Sequence, residues 1–237
     1  MKIKVSVLVF SVILLVCSMA FAGASQPMTY STGSGQKIQC WYGDGGPPNP
    51  TFYAGNVIRT CSLVTPTPLP IGSGAKVTAA ANSNIGGGPI ELFPNGTLRA
   101  FYPYKDEYYY TRAGQNFLMI RPRVFLFSDG TLEAGTLGMP AAVQTGSGQK
   151  VNCGGTIKLN GNGNLIETSW LNGWQTVKTG SNISVSVAKD LQLYDNGTIK
   201  YGYTNSFKGP NVFNKKGYCY GYLVWDPQGQ VTSGACN

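Results

Sequence analysis

Residues 124–134 read VFLFSDGTLEA. Apolar side chains stand at 124, 126 and 132, with Gly130 between the two runs. The same spelling recurs around Gly96 (IELFPNGTLRA, 90–100), Gly163 (IKLNGNGNLIE, 157–167), Gly197 (LQLYDNGTIKY, 191–201) and Gly229 (LVWDPQGQVTS, 223–233). A looser copy, NPTFYAGNVIRT (49–60), surrounds Gly55. The five glycines lie 34, 33, 34 and 32 residues apart. A fixed spacing of that length marks one supersecondary unit used several times.

Counting from each glycine turns this spelling into geometry. Position minus 6 holds Ile90, Val124, Ile157, Leu191 and Leu223; minus 4 holds Leu92, Leu126, Leu159, Leu193 and Trp225; plus 2 holds Leu98, Leu132, Leu165, Ile199 and Val231. Period-two apolar spacing on both sides of a glycine is the strand-turn-strand signal. A two-residue turn would set minus 4 opposite plus 3 and split the apolar rows between two faces. A three-residue loop sets minus 4 opposite plus 2 and puts all three rows on one face. Such loops are a type I turn followed by a residue in the left-handed region, which glycine enters without a Cβ clash. The spacing therefore predicts three-residue hairpins with a G1 bulge, and Gly130→Ala is expected to destabilise the fold.

A second marker is TGSGQKIQC (32–40), repeated as TGSGQKVNC (145–153), with weaker copies IGSGAKV (71–77) and TGSNISV (179–185). This is turn chemistry leading into a strand. The near-identity of the copies at 32 and 145 suggests duplication of a larger half, giving halves 23–143 and 144–237 or one continuous domain. The stretches GDGGPPNP (43–50) and SLVTPTPLP (62–70) read as irregular loop, the prolines of the second arguing against an interior strand.

Residues 1–22 read as a signal peptide: Lys2 and Lys4, an apolar run from Val5 to Met19, and Ala20-Phe21-Ala22 before Gly23 as a cleavage site. No later segment approaches the ~18 apolar residues of a spanning helix. The expected location is exported: periplasmic, extracellular or cell surface. The formal charge is +8, and +6 without Lys2 and Lys4. The basic residues form no extended stripe; Lys215-Lys216 is the one paired run, so no nucleic acid partner is expected. Diffuse attraction to an anionic envelope polymer remains open.

Beyond the leader there are five cysteines, Cys40, Cys61, Cys153, Cys219 and Cys236. In an exported chain these favour disulfides over metal. Cys40–Cys61 is the first-choice pair. Cys219–Cys236 is the second, and it needs a bulge because the hairpin register puts the two on opposite faces. Cys153–Cys219 is the alternative. An odd count leaves one thiol free or available to a second chain.

The sequence contains no histidine, which removes Ser-His-Asp and Cys-His catalysis and the usual zinc ligands. No phosphate loop and no G-x-S-x-G elbow occurs. Neither a metal nor another cofactor is expected. Among the carboxylates, Asp129, Asp195 and Asp226 lie in the repeated turns and Glu91 and Glu133 on outward strand positions. Asp106-Glu107 stands outside that logic, but adjacent strand residues face opposite sides. The aromatic residues are more suggestive. FYPYKDEYYY (101–110) supplies Tyr102, Tyr104, Tyr108, Tyr109 and Tyr110, and Trp41, Trp170 and Trp174 are further candidates. Each offers an apolar face with a polar edge suited to sugar or peptide, although tyrosines also simply line strands.

The pattern h-x-h-x-x-x-G-x-[LIV], clearest in VFLFSDGTLEAGTL (124–137), resembles hairpin repeats of exported bacterial proteins. It is also similar to MORN-type repeats, which are shorter and carry a different glycine and tyrosine pattern. The resemblance covers residues 71–237. It implies an all-β, non-catalytic scaffold and carries over no functional residue.

The expected fold is all-β: an antiparallel meander of about six hairpin repeats, with barrel, sandwich and elongated array all open. The expected function is that of a secreted or surface-exposed, adhesin-like binding or structural protein, with a glycan or envelope polymer as partner and self-association possible. A carbohydrate-active enzyme using Asp106 or Glu107 with a distant carboxylate, and an extracellular fibre subunit, are the alternatives.

Overall fold

A computed structural model describes residues 25–44, 46–82, 87–208 and 218–236. The leader and the Lys215-Lys216 pair lie outside the described residues. β1 (Gln26–Ser31) and β2 (Lys37–Tyr42) form the first hairpin. β3 (Thr51–Phe52) pairs with β4 (Ile58–Cys61), β5 (Thr67–Pro70) with β6 (Lys76–Ala79), and β7 (Ile90–Leu92) with β8 (Leu98–Phe101). β9 (Glu107–Tyr110) pairs with the start of the long β10 (Asn116–Leu126), whose end pairs with β11 (Leu132–Leu137). β12 (Ala141–Gln144) pairs with β13 (Lys150–Cys153). β14 (Thr156–Leu159), β15 (Leu165–Lys178), β16 (Ser184–Leu193), β17 (Ile199–Lys208), β18 (Tyr218–Trp225) and β19 (Val231–Cys236) follow, each antiparallel to the next.

The fold is all-β and antiparallel. The longest pairing path runs β19-β18-β17-β16-β15-β14-β11-β10-β8-β7-β4-β3. Its two ends do not meet, so the sheet is open and the barrel is ruled out. Of the expected loop stretches, 67–70 is a strand after all. Its prolines are tolerated because β5 belongs to a two-stranded sheet, where only one side is paired.

Each glycine-centred loop has the predicted geometry. Phe93 N–H donates to Thr97 O at 2.8 Å, Gly96 N–H donates to Phe93 O at 2.9 Å, and Gly96 has φ of 83°. The registers are Leu92↔Leu98, Leu126↔Leu132, Leu159↔Leu165, Leu193↔Ile199 and Trp225↔Val231, in each case minus 4 opposite plus 2. All fifteen side chains of the three rows are buried. In the looser copy the equivalent residue is Asn56 (φ 61°), not Gly55: Tyr53 N–H donates to Val57 O and Phe52 stands opposite Ile58. Asparagine tolerates the left-handed region better than most residues.

The Thr-Gly-Ser-Gly loops are hairpins of the same type. Thr32 N–H donates to Gln36 O, and the Thr32 and Ser34 hydroxyls bond at 2.9 Å; Thr145/Ser147 and Thr179/Ser181 repeat the hydroxyl pair. The two kinds of hairpin dock tip to tip. A Cβ added at Gly33, Gly72, Gly146 or Gly180 would overlap the backbone carbonyl of Pro94, Ser128, Asp195 or Pro227 respectively. The fifth contact joins 111–114 to Gly163, whose added Cβ would lie 2.8 Å from Arg112 N. There the guanidinium of Arg112 donates to Gly161 O at 2.8 Å and to Asp129 Oδ2 at 2.6 Å.

The chain thus passes back and forth between two tiers of hairpins, and both tiers feed one continuous apolar core. The long strands shift register between their two ends: β10 between Ile120 and Phe125, β15 between Trp170 and Gln175, and β18 between Tyr220 and Val224. The last irregularity provides the bulge that Cys219–Cys236 requires, and that disulfide is present. Cys40–Cys61 is present too, while Cys153 is free and buried, so the Cys153–Cys219 alternative is not adopted.

Candidate functional site

Cross-strand pairing lines up one residue from each of ten strands of the long sheet, β7 to β19 along its pairing path. The row runs Glu91↔Ala100↔Phe125↔Ala134↔Lys158↔Glu167↔Gln192↔Tyr201↔Val224↔Ser233. Of these residues only Ala100 is fully buried. The row is the side of the sheet opposite the fifteen apolar positions: its minus 5 members alternate with the buried rows, and a register shift just after plus 2 of each hairpin turns the plus 4 members to the same side.

Two grooves lie on this row. The first, about 280 Å³, is bordered by Phe125, Ala134, Lys158 and Glu167, with Pro122 and Arg123 at one side. It exists because the small Ala134 stands between Phe125 and Lys158. The second, about 240 Å³, is bordered by Glu167, Ser169, Asp190, Gln192 and Tyr201. Glu167 borders both, so the grooves adjoin.

Asp190 has φ of 52° and sits where β16 shifts register against β17. A bulge of this kind re-aims a side chain. Its carboxylate accepts a 2.7 Å hydrogen bond from the Tyr222 hydroxyl, which raises the Tyr222 pKa. Tyr222 stacks on Tyr201 at 5.6 Å with rings 6° from parallel and meets Tyr203 edge-on at 5.2 Å. The Lys189 ammonium lies 4.9 Å from the Tyr203 ring centre, within cation–π reach. Hydrogen bonding to Tyr222 raises its pKa, so it stays charged.

At the other end of the row one carboxylate serves three guanidinium groups. Glu91 is 2.9 Å from Arg99, 3.9 Å from Arg59 and 4.0 Å from Arg123. Arg123 also lies over the Phe125 ring at 5.0 Å, and its Nε is buried without a hydrogen-bond partner.

The aromatic residues singled out from sequence are dispersed. Tyr104, Tyr108 and Tyr110 are exposed, at 53%, 59% and 64%. Tyr109 faces the core, 6.2 Å from Phe101, and its hydroxyl donates to Glu107; burial first and Glu107 second push its pKa up. Tyr102 is half-buried against Gly88. Trp41 is half-buried in β2, bonded through its backbone to Ser62. Trp170 and Trp174 are each half exposed on β15, and Trp170 lies on Gly154, where a Cβ would strike its ring. No ring contact joins Trp170 to Trp174. Asp106 is exposed, while Glu107 engages Tyr109 and Lys105.

The cluster that does form, Tyr201-Tyr203-Tyr222, lies outside that set. Its signal was available: Tyr at 201 and 203, and again at 218, 220 and 222, is period-two spacing on two strands that pair. Among the described residues, no group of three or more His, Cys, Asp or Glu side chains could hold a metal ion, and no helix is long and apolar enough to cross a membrane. No protein-family model matches the chain, and no curated protein matches it.

Proposed function

We propose that this is an exported, adhesin-like binding protein that uses no catalysis and presents the open face of its long sheet to a glycan or envelope polymer. The observation that carries the reading is the pair of open grooves adjoining at Glu167, with an aromatic ring at each far end. An open, shallow trough suits a polymer better than a small molecule, which is ordinarily enclosed. The scaffold is read as about six hairpin units with a period near 33 residues; the five equivalent tip-to-tip contacts support that reading. Export is supported by the leader-like residues 1–22 and by two disulfides, which persist in oxidising compartments.

The test is a glycan array probed with residues 23–237, followed by product analysis of every hit. Binding without new reducing ends is the expected result; no binding to any glycan or envelope polymer refutes the proposal. A second reading, a carbohydrate-active enzyme, rests on Glu167 and Asp190 bordering one groove, since glycosidases work with two carboxylates. Turnover that disappears in Glu167→Gln would establish it.

A further inference from the structure

We infer that the trough from Phe125 to Tyr201 holds one linear, uncharged oligosaccharide, laid at right angles to the strands. This rests on the binding reading above and adds the ligand's class, charge and direction.

Direction follows from the row. Phe125 and Tyr201 stand on the first and last of six consecutively paired strands, β10, β11, β14, β15, β16 and β17. Five strand spacings make roughly 24 Å between them. Both grooves lie along this line and share Glu167, so a chain crossing the sheet occupies them in sequence. A ligand running along one strand would meet only one groove.

Class follows from what borders the trough. Apolar rings flank its ends, and groups that donate or accept hydrogen bonds fill its middle: Lys158, Glu167 and Gln192. A sugar ring has that same division, with C–H faces and a hydroxyl rim. Flat amphipathic side chains with convergent polar groups match it. Charge follows from the balance. Arg123, Lys158 and Glu167 border one groove, and Glu167 and Asp190 border the other, so the whole trough carries two bases and two carboxylates. A polyanion laid across would meet the two carboxylates, and a polycation the two bases. An uncharged chain meets neither penalty and uses all four as hydrogen-bonding groups.

The far end is built before the ligand arrives. Tyr201 is braced by the stacked Tyr222 ring, and the Tyr222 hydroxyl is tied to Asp190. Restraining a contact side chain in advance lowers the entropy lost on binding.

The experiment is titration calorimetry of residues 23–237 with cellohexaose, chitohexaose and maltohexaose, and with the disaccharide of each. One hexasaccharide is expected to bind, and its disaccharide about tenfold more weakly or less, because it fills one groove only. Affinity should change less than about twofold between low and high salt, as for any uncharged ligand. Tyr201→Ala and Phe125→Ala should each weaken binding about tenfold. Glu167→Gln, at an exposed position that leaves the core untouched, should weaken the hexasaccharide and, because Glu167 borders both grooves, the disaccharide as well. Binding that is independent of chain length overturns the inference, as does steep salt dependence with a polyuronate in place of the neutral sugars, or no binding of any hexasaccharide. Array binding that survives Tyr201→Ala and Glu167→Gln would leave the binding function standing and remove the trough from it.

Discussion

Gly146→Ala and Gly148→Ala sit two residues apart in one loop and should destabilise for different reasons. Gly148 has φ of 81° and nothing within 4 Å of where a Cβ would go. Alanine there meets only the left-handed backbone penalty, about 1–2 kcal/mol. Gly146 has no such φ. On backbone grounds alone, alanine at 146 should stabilise by about 0.4–1 kcal/mol, by restricting the unfolded chain. Its Cβ, however, would lie 2.9 Å from the Asn196 carbonyl carbon and closer still to the Asp195 carbonyl oxygen. Both are backbone atoms in a hydrogen-bonded hairpin, so neither can swing aside. Forcing an extra carbon into a packed contact costs roughly 1–3 kcal/mol. The net expectation for Gly146→Ala is a loss of about 1–2 kcal/mol, and a lower Tm by about 2–8 °C at this chain length. The assay is equilibrium urea unfolding of residues 23–237, with thermal scans as a check. The sign decides the matter. If Gly146→Ala is neutral or stabilising while Gly148→Ala is destabilising, hairpin tips do not dock, and the two-tier account fails.

Three other outcomes follow from the structure. Asp129 has its pKa held down to about 2: burial opposes ionisation, but hydrogen bonds from Arg112 and Thr131 outweigh it. A depressed carboxylate adds stability above its unfolded pKa near 4, and that contribution fades as pH falls toward 2. For so exposed a pair it is worth roughly 0.5 kcal/mol. Asp129→Asn should therefore lower stability at pH 6 and change it less at pH 2, read by urea midpoints at both. Cys153 is buried, with its thiol donating to Val151 O and burial pushing its pKa up to about 12. Maleimide should leave it unmodified in the native protein at pH 8 and label one thiol per mature chain after unfolding without reductant; rapid native labelling would contradict the burial. The Cys40–Cys61 and Cys219–Cys236 bridges close loops with separations of 21 and 17 residues. Removing either by a double serine substitution should lower unfolding free energy by about 3 kcal/mol, measured by urea melts; an unchanged midpoint would mean the bridge does not form.

Hairpin register was legible in the sequence because parity is strict: with apolar residues at minus 4 and plus 2 of a glycine, only an odd-length loop puts both on one face. The need for a bulge before Cys219 could pair with Cys236 came from the same parity. Tip-to-tip docking was not legible. It joins backbone to backbone across about fifty residues, as Gly146 to Asp195, and its one trace is a missing Cβ, which a turn alone also accounts for. Asn56 was hidden by its neighbour, since Gly55 is the better-known occupant of a left-handed site. At the candidate site, Glu167 and Asp190 are separated by two strands' worth of chain and converge only through the β15–β16 pairing. The tyrosines at 101–110 drew attention by density, whereas those at 201, 203 and 222 matter by stacking across strands, which composition does not reveal.

The docked tips enclose overlapping lengths of chain: 32–96, 71–130, 111–163, 145–197 and 179–229. Each span begins before the previous one ends, like tiles on a roof. Every peptide bond between the first and last tip is therefore straddled by at least one clasp that does not depend on it. A single cut by a protease, for instance at the exposed Gly138–Pro140, severs the thread without opening a seam.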